Sequence, residues 1–308
     1  MQAQDYAGAK WAIAQRTAGA TNDAIERLIA RGAILRTHVL RPTWHFVLPS
    51  DIRWMLRLTG PRVAALLAHN DRRLGITPSV LRRGIDAMAE ALTGGRQLTR
   101  TELAAVLARA GIDASDGLRV GHVIMHAELD AVLCSGARRG KQFTYALLDE
   151  RAPATPAIDR DEALGQLATR YFATRAPATI ADFAWWSGLT VRDAKRGAEA
   201  AGVARRRSAA APTTSAHLLP NYDELFIGYR DRSAFLERVN GIALMQRNTP
   251  LALNVVEIDG QIVGGWRRGA RGTAVETTLL VSLTHPQRRA LDDQIARYAA
   301  FLTAGAGD

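Results

Sequence analysis

Two amides and a carboxylate stand within a few residues of each other at the start of the chain: Gln2, Gln4 and Asp5. An amide cannot take a proton from water, but it can orient a water molecule by donating and accepting hydrogen bonds. A carboxylate can stabilise a neighbouring positive charge or act as a base. Together the three groups suit attack by water on a centre that is already activated. They also have a plain structural use: Gln2 and Gln4 as terminal polar residues, Asp5 as the N-cap of a helix over Tyr6–Arg16.

Other candidates lie further along. Thr43 and His45 are two apart, so on a strand they point to the same side. His45 can equally be a partly buried histidine satisfied by backbone. His122 and His126 are spaced as neighbours on a helix face, and His38 and His45 form another pair, but neither pair has a third ligand at motif spacing. No metal and no cofactor are expected. Basic side chains gather at Arg138, Arg139 and Lys141, at Arg192, Lys195 and Arg196, and at Arg205, Arg206 and Arg207. Arg192, Lys195 and Arg196 share one helix face, which suits either a phosphate-facing surface or a solvated one. Trp185 and Trp186 read as core and helix-packing residues rather than as platforms for stacked bases. Tyr222, Tyr229 and Arg230 to Arg232 suggest no chemical role by type or spacing.

The 308 residues exceed the usual single-domain size, and 47% hydrophobic with 23% charged side chains is the balance of a globular protein with a full core. No apolar run approaches the roughly 20 residues needed to cross a bilayer, and no signal peptide opens the chain. The single cysteine, Cys134, excludes an intramolecular disulfide and fits a reducing cytoplasm. The formal charge is +10 and the pI near 10.5. Residues 1–95 carry 13 basic and 7 acidic side chains, 151–215 carry 10 and 6, and the remaining segments balance. Such an excess suits a nucleic-acid partner. Arginine, however, supplies 37 of the 40 basic residues, so the bias also fits a GC-rich genome.

The elements that must position these groups follow from periodicity. A helix is predicted over 21–31 with Ile25, Leu28 and Ile29 on one face. An edge hairpin follows through 34–49, with Pro42 inside it. Ser50 or Asp51 caps the next helix, which Gly60-Pro61 terminates. Helices continue to about Thr93, broken between Gly75 and Pro78. Thr99 and Glu102 make a capping box for a helix over 99–110, a second helix spans about 117–134, and a glycine-punctuated hairpin with a basic tip follows. Helix, turn, helix and basic hairpin form the order of a winged helix. The order recurs from 162 to 202, with a turn at Gly188, and 204–217 reads as an exposed basic wing or linker. Beyond 220 the chain alternates β-branched residues. Asp259-Gly260 marks a hairpin turn and Gly269–Gly272 a second loop, and a last helix closes the meander.

Five segments carry a family likeness: 2–17, 34–62, 179–194, 218–233 and 262–268. In this order the chain resembles the AlkZ/YcaQ-like winged-helix DNA glycosylases along nearly its whole length. The resemblance implies tandem winged helices around duplex DNA, followed by a β-barrel. It matches Gln2-Ala3-Gln4 to the family's catalytic glutamine motif, and Arg41, Thr43 and His45 to its hairpin. Members usually carry tens of residues ahead of the glutamines, so either the start of this sequence is set too late or part of the first module is missing, and Gln2 is expected on a frayed end.

The implied fold class is α+β, mainly α. Residues 1–95 form a first winged helix with connecting helices, 96–150 a second and 151–217 a third. Residues 218–308 form a small antiparallel β-barrel with a C-terminal helix. The implied activity is hydrolysis of the N-glycosyl bond of N-alkylated, cationic purines. Gln4 would position water, Gln2 would assist, and Asp5 would stabilise the sugar cation or act as base. The expected partner is double-stranded DNA and the expected state a cytoplasmic monomer without membrane contact. A non-catalytic DNA-binding regulator, or a protein-interaction role without DNA contact, would use the same modules.

Overall fold

The computed structural model describes residues 1–175, 177–202, 214–239, 254–269 and 275–303. The fold is mainly helical with short antiparallel sheets. Two compact units are built from interleaved segments: 1–26, 171–186 and 203–308 form one, and 27–170 and 187–202 the other.

The second unit contains two hairpins and a helical core. Strands β1 (Leu35–His38) and β2 (Trp44–Val47) pair with Thr37 opposite His45. Helix α3 (Pro49–Arg73) follows, then α4 (Pro78–Leu92), the short β3 (Leu98–Thr99), α5 (Arg100–Arg109) and α6 (Gly117–Leu129). Strands β4 (Leu133–Ser135) and β5 (Thr144–Leu147) complete a three-stranded sheet in the order β3-β5-β4. Met88, Leu92, Leu103, Leu107, Val123 and Leu133 sit in the shared core. The Thr99–Glu102 capping box forms with both of its bonds.

Three local expectations are corrected here. Helix α3 does not stop at Gly60-Pro61 but runs through to Arg73. An internal proline costs about 3 kcal/mol in lost bonding and clash, and burial of Leu56, Leu58, Val63 and Leu67 along the same helix offsets it. Gly60 lies against the Leu129 carbonyl at the end of α6. The cap of α3 is Leu48 with Pro49 behind it, and neither Ser50 nor Asp51 fills that position. The helix expected over 117–134 ends at Leu129, because Leu133 and Cys134 are buried in strand β4. Burial and neighbouring Glu128 push the Cys134 thiol up to about 12, against the pull of Arg151 and Arg53.

Helices α7 (Leu148–Arg151), α8 (Arg160–Thr174), α9 (Ile180–Ser187) and α10 (Val191–Ala200) come next. Helix α10 buries Ala194, Gly197 and Ala198 while Arg192, Lys195, Arg196 and Glu199 face out. Small residues allow its close approach to α8: a side chain on Gly197 would run into the Leu164 carbonyl.

The first unit begins with α1 (Tyr6–Gln15) and the start of α2 (Asn22–Ala30), and contains β6 (Ala216–Leu219), α11 (Glu224–Ile227), β7 (Val255–Ile258), β8 (Gln261–Arg268), β9 (Val275–Leu279) and α12 (His285–Thr303). The strands form one antiparallel sheet in sequence order. Ala216 and His217, expected in a linker, are part of it. Asp259 and Gly260 both take left-handed backbone angles, as a two-residue hairpin turn demands. The described strands do not close into a barrel, and residues 270–272 of the expected second loop lie outside the described residues. Trp11 of α1 packs edge-on against Tyr298 of α12 at 4.9 Å.

Gly188 provides a stability test. Its φ is +68°, and a Cβ there would overlap the Leu40 carbonyl oxygen. Gly188→Ala is expected to cost at least about 1 kcal/mol and to lower Tm by several degrees, measured by calorimetry. A Tm equal to that of the parent protein would contradict the close approach.

Candidate functional site

Gln2 is not frayed. Its side chain is buried and its backbone N–H donates to Glu224 Oε1 at 2.8 Å. Ala3 is fully buried, and Gln4 is exposed. Asp5 caps α1, its Oδ1 accepting from the Gly8 N–H at 3.0 Å. Gly8 leaves room for this cap: a Cβ there would crowd the Asp5 carboxylate and Pro220. Further along α1, Trp11 Nε1 donates to the Leu218 carbonyl at 2.7 Å, and Arg16 grips Asp223 with both guanidinium nitrogens at 3.0 and 2.7 Å. The segment from Gln2 to Arg16 is thus fastened at several points to residues 218–224.

Glu224 is the centre of this arrangement. Its Oε2 accepts from Arg175 Nη2 at 2.8 Å and from Trp186 Nε1 at 2.6 Å. The Arg175 guanidinium lies over the rings of Tyr171 and Trp186, 5.1 and 5.0 Å from their centroids. Sequence reasoning had no role for this stretch, and the adjacent acids Asp223-Glu224 were its available signal. Trp186 is buried in the aromatic cluster with Tyr171 and Phe183, whereas Trp185 is 45% exposed beneath Arg232. Gln2 Oε1 is buried with no hydrogen-bond partner among the described residues. A buried, unpaired acceptor is costly and therefore informative.

The hairpin candidates, and the basic candidates from Arg138 to Arg196, belong to the other unit. His45 is buried, and its Nδ1–H donates to the Thr43 carbonyl at 2.9 Å. The hydroxyls of Thr43 and of Thr37, which faces His45 across the hairpin, are buried without a partner among the described residues. Arg41, half-buried, lies in the loop against which Gly188 packs, so this unit brings the hairpin and the start of α10 together. The two hairpins also meet. The Arg36 N–H donates to Ser135 Oγ at 2.8 Å, and the Arg36 guanidinium sits between the rings of Trp44 and Phe143, at 4.2 and 4.5 Å. The Arg138 guanidinium also lies over the Phe143 ring, 5.3 Å from its centroid.

The basic residues are unequal. Arg139 pairs with Glu102 at 2.8 Å, and Arg196 with Asp161 at 2.6 Å. Glu102 is held down at about 2, first by the Thr99 backbone N–H and then by Arg139. Lys141, Arg192 and Lys195 are exposed and make no ion pair among the described residues. Arg205, Arg206 and Arg207 lie outside the described residues. His122 Nδ1 and His126 Nε2 both bond the buried Asp71 carboxylate, at 2.7 and 2.9 Å. The described residues contain no group of three or more side chains able to hold a metal ion, and no helix long and apolar enough to cross a membrane.

The family model described as DNA glycosylase AlkZ-like matches residues 1–301. The chain belongs to the AlkZ-like DNA glycosylase family. Among its curated relatives, the interstrand DNA cross-link repair glycosylase of Streptomyces sahachiroi is 26% identical over 296 residues, spanning 86% of this chain and 79% of the relative. The solved structure of the Streptomyces sahachiroi DNA glycosylase AlkZ shares the fold, with a TM-score of 0.77 at 24% identity over 97% of this chain and 88% of that one. The AlkZ-like family is one of DNA-repair hydrolases acting on N-glycosyl bonds.

The Arg16–Asp223 pair tests how this AlkZ-like chain holds its amino-terminal segment. The Asp223 side chain is fully buried and that of Arg16 is 39% exposed. Arg16→Ala should therefore destabilise by about 1–3 kcal/mol, less than for a fully buried pair, as read from urea unfolding. An unchanged midpoint would show that the pair does not fasten α1.

Proposed function

We propose that this chain excises N7-alkylated purines from duplex DNA, and that Gln4 and Gln2 position the attacking water. The observation that carries the reading is the pairing of an exposed amide, Gln4, with a buried and anchored one, Gln2. Alkylation at N7 makes the base a cation, so the bond to the sugar is labile before the enzyme acts. As that bond breaks, its electron pair goes to the base and neutralises it. The water oxygen bonds to C1′ of the sugar cation, and its proton passes to solvent. Positioning and charge stabilisation suffice for such a reaction. Asp5, with Oδ1 committed to its cap, is the carboxylate proposed to stabilise the sugar cation. A purine cross-linked through N7 carries the same charge, so the cross-link repair named for the Streptomyces relative is within the reach of this chemistry.

The finer architecture belongs to the same reading. Residues 1–95, 96–150 and 151–217 act as winged-helix modules, and 218–308 as a barrel-type module with its closing helix. Within them, Arg41, Thr43 and His45 face the lesion from the first hairpin, while Arg138, Arg139 and Lys141 contact backbone from the second. Arg192, Lys195 and Arg196 of α10, with Arg205, Arg206 and Arg207, contact phosphates. Lys195 and Arg192 are assigned more of this role than Arg196, whose charge Asp161 partly cancels.

Duplex DNA carrying one N7-methylguanine tests the reaction. The protein is expected to convert it to an alkali-labile abasic site, and Gln4→Ala to reduce the single-turnover rate by about 100-fold or more while retaining DNA affinity. Absence of abasic product, with binding intact, would make this chain a DNA binder without the reaction. The phosphate role has its own measurement: the slope of log K against log salt should fall in magnitude by about 1 in Lys195→Ala. A slope that does not move would remove Lys195 from the interface.

A further inference from the structure

Glu224 is 4% exposed, the first residue of a four-residue helix, and it draws donors from three distant parts of the chain. The Gln2 N–H reaches Oε1 from 222 positions away, while Arg175 and Trp186 reach Oε2. A buried carboxylate held by a guanidinium and by neutral N–H groups has few alternative arrangements, because each donor that leaves exposes unpaired charge. Arg175 is itself fixed by its rings, and a Cβ on Gly228 would meet both its side chain and the Glu224 carbonyl. On the far side of the amide pair, Asp5 fixes the first turn of α1. Gln4 stands between these two anchors.

We propose that Glu224 is the positioning residue of the site: its carboxylate sets the backbone at Gln2 and, through it, the placement of both amides, without touching DNA. The inference rests on the assignment of Gln2 and Gln4 to water positioning. It distinguishes Glu224 from Asp223, whose partners Arg16 and the Leu225 N–H hold α1 and α11 but not the amide pair.

Glu224→Gln tests it. The carboxamide keeps the shape and one acceptor, but presents an NH2 where Arg175 and Trp186 need an acceptor. In single-turnover assays on N7-methylguanine duplex, the maximal rate is expected to fall by about 10-fold or more, with half-saturating DNA concentration and affinity for undamaged duplex unchanged. Combined with Gln4→Ala, it should add less than about threefold to the loss from Gln4→Ala alone, because both changes disable one device. Should Glu224→Gln fail to fold, Trp186→Phe removes a single donor and is expected to lower the maximal rate, again without weakening DNA binding. Several outcomes overturn the proposal: a folded Glu224→Gln, or failing that a folded Trp186→Phe, with the parental rate; losses that multiply with Gln4→Ala; or loss of DNA affinity in step with rate, the mark of a general structural role. If Gln2→Ala and Gln4→Ala both release base normally, the water-positioning assignment falls and Glu224 falls with it. An inactive Gln4→Ala beside a fully active Glu224→Gln defeats the positioning role alone.

Discussion

A carboxylate out of reach of water must be matched by donors, and the cost of leaving it unmatched is several kcal/mol. At Glu224 that requirement draws together Gln2, Arg175 and Trp186, which are remote in sequence. Coulombic attraction to Arg175 offsets the desolvation of both partners, and the N–H groups of Gln2 and Trp186 add hydrogen bonds to the same carboxylate. The consequence is topological as much as energetic. The amino-terminal segment belongs to the same compact unit as residues 171–186 and the carboxy-terminal sheet, so the chain's first residues are held by its last third. A terminus would ordinarily fray. This one is fastened at Gln2, Trp11 and Arg16.

The other unit handles charge differently. Several of its arginines face carboxylates on their own surface: Arg139 with Glu102, Arg196 with Asp161, Arg160 with Asp193, Arg53 with Asp149. Arg36 is enclosed between two rings instead. Net charge therefore overstates how many cations are available to a polyanion, and the sharper indicators are exposed cations that make no ion pair. Lys195 and Arg192 on α10 meet that description among the described residues, and the buried Ala194, Gly197 and Ala198 beneath them let the helix present that face.

What could be read from the sequence was what is local. The Thr99–Glu102 box, the left-handed Asp259-Gly260 turn and the face of α10 each follow from residues within a few positions. Misreadings occurred where packing outvoted local preference. Pro61 sits inside α3 because buried leucines on both sides of it hold the helix together. The apolar run past Leu129 crosses from α6 into β4, and periodicity cannot separate a buried helix from a buried strand. The glutamine motif was recognisable by resemblance, but its anchor was not. Glu224 has no periodic relation to Gln2, Arg175 or Trp186, and its adjacency to Asp223 was the one local signal it offered.

The chemistry proposed for the amides explains why such an anchor is needed. A general base tolerates some displacement, because a proton can move along a hydrogen bond or through one water. An amide contributes only the direction and distance at which it holds water, so its effect depends on a geometry maintained within a fraction of an ångström. Backbone freedom at Gln2 would exhaust that tolerance. Pinning Gln2 through its main-chain N–H, rather than through its side chain, leaves the Gln2 amide unused by the anchor. On this view the leaving group's positive charge and the rigidity of Gln2 are complementary: the substrate supplies the activation that an amide cannot, and the buried carboxylate supplies the order without which an amide would do little.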